Sequence, residues 1–469
     1  MQKLSFDYKE NIKKLDETLR INESFDVIKK VLKIADGELS FYYIDGLVKD
    51  GILSKLMTSF IALKDVNVTA EEFDAKNLPY NETDVTDDFE KMVKSVLSGC
   101  TLLVGSGFLE KAIILDLRSY PSRELAEPES DRVMRGAHDG FIETLICNTA
   151  LIRRRIRDPK LTFKSLSVGR CSATDVVVAY IEGRADEKLA DEIVKKIASI
   201  KTDSLTMGQE SLKECLVPNR WYNPFPKAWM TERPDCAAAQ LYEGSVLVIC
   251  DNTPQVMILP TSIFDFIQET NDFYFPPLTG TYIRTVRYLV FFLTLFLTPT
   301  WFLLVQNPEV VPDWLKFIIP ESPGHIPIFL QLILVEFIID GLRMASMNTP
   351  DMLTNSLSVV GALILGDFAV SIGWLIPEVI LYMAFVAIAN FAQGSYELGY
   401  AFKFLRIMLT ILIQLFNWWG FAVGTVIIVI LIATNTTIMK RHTYLYPLIP
   451  FNGKALFSLF IRRKKKHDE

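Results

Sequence analysis

The chain has 469 residues, half of them apolar, with 31 phenylalanines and a formal charge of −6. A mean hydropathy of +0.24 is high for a soluble protein of this length, and the acidic balance argues against a nucleic-acid binder, which needs a basic surface to neutralise phosphates. Six cysteines, at 100, 147, 171, 215, 236 and 250, form no C-x-x-C pair, and the four histidines, at 138, 325, 442 and 467, are scattered. Neither a disulfide framework nor a metal or other cofactor site is expected.

Residues 1–36 begin MQKLSFDYKENIKKLDETLR, too charged for a signal peptide, and read as a helical extension. Residues 37–120 and 166–278 each alternate strand-like and helix-like runs. Phe41–Val48 precedes Ile52–Leu63 in the first, and Val176–Ile181 precedes Lys188–Ile200 in the second. Tyr43-Ile44-Asp45-Gly46 aligns with Tyr180-Ile181-Glu182-Gly183, and Gly99–Val104 with Gly244–Ile249. Each of the latter precedes another apolar run, Ala112–Leu115 or Val256–Leu259. The expectation is a soluble α+β region made of two similar α/β units.

Between them, residues 121–165 form a linker rich in Pro and charge with an amphipathic helix, Phe141–Ile156. Arg135-Gly136 and Asp139-Gly140 set glycines beside charges just before that helix, where Gly permits a tight turn. Asp139 is expected to cap or complement the helix start, and Arg153, Arg154, Arg155 and Arg157 its C-terminal end. With Glu143, these residues read as an interdomain or intersubunit brace. Walker A, G-x-S-x-G and H-E-x-x-H sequences are absent, and Gly105-Ser106-Gly107 reads as a hairpin turn. No enzyme is expected.

Residues 279–440 read as a helical transmembrane domain, and 441–469 as a basic cytoplasmic tail. The clearest span is the uncharged run Tyr288–Val305, close to the roughly 20 residues that cross a hydrocarbon core, with Pro299 expected to kink it. Further apolar segments run Ile326–Met347, Leu357–Ile376, Glu378–Phe391 and Phe404–Thr434. Arg284 and Arg287 before the first span, and Glu309 and Asp313 after it, put the N-terminal region in the cytoplasm. Lys440, Arg441 and the run Arg462–Lys466 ask for the same side, which requires an even number of crossings. One segment therefore falls short, either the stretch after Pro377 or Ile326–Met347, and four full spans with one or two partial ones are expected.

Ionisable residues inside a membrane are costly unless they face protein or water. Glu336, Asp340 and Arg343 are spaced to share one helix face, Asp367 lies mid-segment, and Glu378 and Glu397 flank the next apolar stretch near Asn390 and Gln393. Two readings stay open. Either a carboxylate pairs with Arg343 and is structural, or the acidic excess lines a cation path that oligomerisation would turn into rings of carboxylates.

Several motifs resemble a known family. They are Pro121-Ser122-Arg123 with Glu127-Pro128-Glu129, the run Arg135–Glu143, Asn148–Ile156, and Thr231-Glu232-Arg233-Pro234-Asp235. Together they are similar to the A-subunit (GerA) family of bacterial spore germinant receptors over roughly residues 37–435. One branch of that family is indicated by Trp221–Pro226, Thr253-Pro254 before Val256–Pro260, Pro377–Tyr382 and Ser395–Gly399. His138 and Trp229-Met230 depart from the residues usual in the family. The resemblance implies a multi-pass protein of the spore inner membrane, with its soluble part in the spore core, acting in germination as a subunit of an oligomeric ion channel. Membrane lipid, further copies of the chain, and a small membrane partner or other receptor subunits are the implied partners.

Overall fold

The runs TLLVG and VLVIC, buried along their whole length, are the central strands of two five-stranded sheets. The structure is a computed structural model that describes residues 4–34, 37–63, 65–120, 136–217, 222–269, 271–321, 324–348, 368–391, 393–435, 438 and 444–461. The chain divides into an α/β unit, Met1–Asn219 with Ala228–Thr261, and a helical unit, Arg220–Lys227 with Ser262–Glu469.

In the α/β unit the first half runs α1 (Tyr8–Leu19), β1 (Val27–Ile34), β2 (Gly37–Ile44), α2 (Asp50–Ile61), α3 (Ala70–Asn77), β3 (Thr83–Thr86), α4 (Phe89–Leu97), β4 (Thr101–Gly105) and β5 (Ala112–Leu115). The second runs α5 (Leu145–Arg155), β6 (Leu161–Val168), β7 (Thr174–Ile181), α6 (Glu187–Ala198), α7 (Gln209–Leu216), β8 (Trp229–Thr231), α8 (Pro234–Tyr242), β9 (Val246–Cys250) and β10 (Val256–Leu259). Strand orders are β1-β2-β4-β5-β3 and β6-β7-β9-β10-β8, so the halves share one topology. Every pairing is antiparallel.

Alternation along the strands builds a core on each face of the first sheet. Tyr42, Ile44, Leu102, Val104 and Ile114 face α1 and α4, whereas Leu39, Phe41, Leu103, Ile113 and Leu115 face α2 and α3. Helices on both sides explain why the central strands read as continuous apolar runs. In the second sheet Val177, Ala179, Leu247, Ile249 and Val256 pack under α5 and α8. Thus α5 holds the place in the second half that α1 holds in the first.

Residues 1–36, read from sequence as an extension, contain α1 and the whole edge strand β1, and the stretch read as a linker contains α5 and the start of β6. The same local device opens both halves. Buried Asn11 accepts from the Ser5 amide at 2.7 Å and donates to the Ser5 carbonyl at 2.6 Å. Buried Asn148 does the same to Ile142 at 2.8 and 2.6 Å. Each closes a loop of the same length ahead of its helix.

The helical unit contains α9 (Asn271–Tyr274), α10 (Pro277–Gln306), α11 (Ile328–Asn348), α12 (Ala369–Ser371), α13 (Pro377–Phe391), α14 (Tyr396–Ala433) and α15 (Gly453–Phe460). Helices α10 and α14 are long and apolar enough to cross a membrane. Pro299 lies inside α10, as expected from sequence. The predicted segment Leu357–Ile376 is described only from Phe368 onward, and Asp367 and Arg462–Lys466 lie outside the described residues.

Helix α14 is not one rod. Straight, its 38 residues would extend about 57 Å, but Asn417 adopts φ +52°, ψ −125° and the chain reverses there. A Cβ on Gly424 would lie 2.4 Å from Leu409 Cδ1, and one on Gly420 would lie 1.9 Å from the Leu412 carbonyl oxygen. Only glycine lets the arms 396–416 and 418–433 approach so closely. Asn307, which caps α10, exchanges side-chain hydrogen bonds with Asn417 at 2.7 and 3.0 Å, so α10 ends beside the hairpin tip. At the other end Phe225 packs on Phe402, and Asn223 donates to the Leu431 carbonyl. The segment expected from sequence to cross once, Phe404–Thr434, thus turns back on itself.

Candidate functional site

In the helical unit four ionisable side chains meet between α11 and the first arm of α14. Glu336 and Asp340 lie one turn apart on α11, as the sequence spacing predicts. Facing them, also one turn apart, are Arg406 and Lys403. Arg406 Nε donates to Glu336 Oε1 at 2.6 Å, and its Nη1 donates to the Thr294 carbonyl of α10 at 2.8 Å. Lys403 pairs with Asp340 and donates to the Glu336 carbonyl at 3.2 Å. Arg406 is 1 % exposed and Glu336 5 %, whereas the Asp340 side chain keeps 27 %. The result is a two-rung ladder of opposite charges inside an otherwise apolar bundle.

Arg343 lies on the same face of α11 as the two carboxylates. Its guanidinium lies over the rings of Tyr396 and Tyr400, at 4.6 and 5.1 Å from their centroids, while the carboxylates on its own helix bond to α14. A cavity of 20 Å³, room for about one water, is lined by Glu336, Asp340, Arg343, Asn390, Lys403 and Arg406. Asn390 Oδ1 is buried with no hydrogen-bond partner among the described residues. Glu378 and Glu397 do not line this cavity. They stand in the first turns of α13 and α14, and these turns lie at opposite ends of the bundle. The start of α13 lies beside the start of α11, where the Ile376 amide donates to Gln331.

Sequence reasoning missed Lys403 and Arg406, although the spacing of Lys403 and Arg406 complements that of Glu336 and Asp340. It also gave Arg284 and Arg287 only a topological role. Arg287 bonds Asp272 at 2.7 Å and Glu269 at 2.8 Å, and Arg284 lies 3.4 Å from Asp272, so both cations ahead of the uncharged run of α10 are matched by acids.

In the α/β unit the residues read as a brace divide among different tasks. Arg153, 1 % exposed, makes a fork with Asp26 at 2.7 and 3.0 Å and donates to the carbonyls of Leu161 and Asp158. Ser24, also bonded to Asp26, accepts from the Phe163 amide of β6, and the Phe25 amide donates to the Phe163 carbonyl. Arg153 therefore ties the lead-in of β1 to the second sheet. Arg155 pairs with Asp139 at 2.5 Å, and Arg154 lies over the Tyr120 ring.

Asp139 therefore does not cap α5. Thr144 occupies the cap position without a side-chain bond, and the Leu145 amide donates to Asp251 instead, at 3.0 Å. Gly136, Gly140 and exposed Glu143 lie on the loop leading to α5, and Arg135 is outside the described residues. Two motifs distant in sequence hold this loop together. Buried Arg233 donates to the Ala137 carbonyl at 2.9 Å, and the Phe141 amide donates to the Glu232 carbonyl at 2.7 Å. No group of three or more His, Cys, Asp or Glu placed to hold a metal occurs among the described residues.

A family model described as Bacillus/Clostridium GerA spore germination protein matches residues 13–469. Among curated proteins, Stage V sporulation protein AF of Bacillus subtilis (strain 168) is 39% identical over 447 residues, covering 94% of this chain and 90% of the relative. Membrane protein YfkQ of the same organism is 29% identical, covering 98% of this chain and 89% of the relative. Among solved structures, the N-terminal domain of the A subunit of the Bacillus megaterium spore germinant receptor GerK3 aligns at 25% identity and a TM-score of 0.41, over 55% of this chain and 96% of that domain.

Proposed function

The chain belongs to the GerA family of spore germination proteins, and on that premise we propose that it is a multi-pass protein of the spore inner membrane whose oligomer passes monovalent cations during germination. The ladder of Glu336 and Asp340 against Arg406 and Lys403 carries this reading. Charges inside an apolar bundle are expensive and belong where they meet partners or water. The outward faces of the bundle expose Phe292, Phe337, Leu381, Ile388, Leu415 and Val426, a surface suited to lipid. Helix α10 and the first arm of α14 run toward the Asn417 tip, and α11, α13 and the second arm of α14 run away from it, so the bundle begins and ends away from that tip. That arrangement supports both ends of the bundle sequence lying on one side, the cytoplasmic side.

In this conformation the carboxylates are neutralised by their own chain, so it corresponds to a closed state. Movement of α11 against the first arm of α14 would break both rungs together and free two carboxylates for a cation path along the oligomer axis. Asp340, the more accessible acid, is the first to engage an ion. Purified protein in potassium-loaded liposomes tests this. Asp340→Asn should insert and accumulate normally while potassium efflux changes, and efflux equal to that of the unaltered protein removes Asp340 from the path.

One observation favours a second reading, a receptor A subunit that relays ligand binding from partner subunits: the mutual neutralisation leaves no unpaired acid in the ladder to attract a cation. Liposomes containing this chain alone separate the two, since a relay passes no potassium without its partners.

A further inference from the structure

The C-terminal part of the helical unit carries a feature the ion-path reading does not use. Segment 444–461 wraps the end of the bundle opposite the Asn417 tip. The Ile263 amide donates to the Tyr444 carbonyl at 2.9 Å, and Ser262 Oγ donates to the Tyr446 carbonyl at 2.6 Å. Helix α15 then lies against the beginning of α10: Arg284 donates to the Ser458 carbonyl at 3.0 Å, and the rings of Phe460 and Tyr288 are 4.8 Å apart. Tyr288 is where α10 passes from charged sequence into its uncharged run. Helix α15 therefore sits at the level where the bundle surface changes from polar to apolar.

At that level the segment presents apolar side chains outward. Phe451 is 76 % exposed, Ile449 57 % and Phe457 48 %, while Leu459 points inward as the buried contact. Lys454 is exposed on the same helix. Immediately after Ile461 the sequence reads Arg462-Arg463-Lys464-Lys465-Lys466. Exposed phenylalanines at a polar-to-apolar boundary, followed at once by five cations, match a helix lying in the plane of a bilayer interface over negatively charged headgroups.

We propose that residues 446–461 form an in-plane anchor and that the basic residues following them in sequence bind anionic lipid headgroups of the cytoplasmic leaflet. The rings of Phe451 and Phe457 enter the headgroup–acyl boundary, and the basic run engages the lipid phosphates. Because α15 holds Arg284 and Tyr288 directly, lipid charge in that leaflet bears on the start of α10. This rests on the membrane reading above. It is distinct from the cation path, since none of its residues belongs to the ladder.

The test uses the full chain in lipid nanodiscs, with single cysteines in a cysteine-free background carrying an environment-sensitive fluorophore. Labels at position 457, at position 292 on the lipid-facing side of α10, and at native exposed Cys171 are compared in phosphatidylcholine discs and in discs with phosphatidylglycerol added. Iodide quenching at 457 should fall several-fold relative to Cys171 when phosphatidylglycerol is present. Replacing the five basic residues with glutamine, or adding high salt, should reverse most of that fall. Shielding at 457 that ignores both lipid charge and the glutamine variant overturns the headgroup assignment. Quenching at 457 equal to that at Cys171, with 292 shielded, overturns the anchor while leaving the membrane reading intact. Quenching at 292 equal to that at Cys171 overturns the membrane reading itself.

Discussion

The two units each bury arginines against acids, and the contrast lies in what surrounds them. Arg153 in the α/β unit is met by the fork of Asp26, by Ser24 and by two carbonyls, so one immobile cation is satisfied from several chain segments. Arg406 and Lys403 in the helical unit face Glu336 and Asp340 across two helices and share a small cavity with Asn390. The first arrangement resists any motion, because moving one segment breaks several bonds at once. The second can be broken as a unit by shifting one helix against another. A buried charge is thus a rivet in one region and a latch in the other.

The largest expected effect breaks the latch. Glu336→Gln strands the Arg406 guanidinium in a site 1 % exposed, at a cost of about 3–5 kcal/mol. The full chain should accumulate poorly in membranes and melt early in detergent. Glu336→Gln combined with Arg406→Met removes both charges and should restore most of the loss. Normal accumulation of the single variant would show that water, and not Arg406 alone, solvates this position.

Breaking the rivet comes next. Arg153→Met orphans Asp26, which is 2 % exposed, and should cost about 3 kcal/mol. Arg153→Lys should recover little, because an ammonium cannot reproduce the planar fork. Hydrogen exchange of the full chain should then rise in β1 and β6 before it rises in β4 or β9. Uniform loss of protection would mean that Arg153 does not specifically join the two halves.

What the sequence made legible follows this division. Central strands announced themselves because both faces are buried: Gly99–Val104 and Gly244–Ile249 read as apolar runs, and their repetition exposed the duplication. Edge strands did not. In β1, VIKKVLKI, and β6, LTFKSLSV, lysine and serine interrupt the apolar pattern on the open side, so their halves appeared to begin one strand late. Asn11 and Asn148 mark the true starts, but a lone asparagine has no sequence signature until the carbonyl and amide it clasps are known. In the helical unit Glu336 and Asp340 stood out as acids within apolar sequence, whereas Arg406 was passed over inside the run Phe404–Thr434. The reversal at Asn417 was hidden because the residues on both sides of it are apolar and helix-forming.

The duplicated turn sharpens the comparison at lower cost. Gly46 and Gly183 occupy equivalent turns with φ +76° and +73°, conformations that cost a side-chain-bearing residue roughly 1–2 kcal/mol. A Cβ at Gly183 meets open space, whereas one at Gly46 lies 2.8 Å from Ile146 of α5. Gly183→Ala should therefore report backbone strain alone, and Gly46→Ala strain plus a clash worth about 1 kcal/mol more. Equal melting shifts for the two variants would mean that α5 yields freely over the first turn.

The smallest expected effect concerns the acid beside that turn. Burial raises the Asp45 carboxyl above its ordinary range. The Gly46 amide partly offsets this, and the neighbouring charges of Asp50 and Asp26 add to it. Folded Asp45 therefore keeps its proton to a higher pH than it does in the unfolded chain. Between the two pKa values the folded state binds more protons, so stability falls as pH rises through that window and stays lower above it. Asp45→Asn removes the titration and should flatten the stability curve just above the ordinary carboxylate range, while leaving its acid limb unchanged. Glu182, the matching acid of the second half, pairs with Arg20, so Glu182→Gln should lower stability at neutral pH by deleting an ion pair. Opposite signs for the two substitutions at neutral pH are the expected result. If Asp45→Asn is also destabilising there, the ionised carboxylate is held by favourable bonds and its burial is not a net cost.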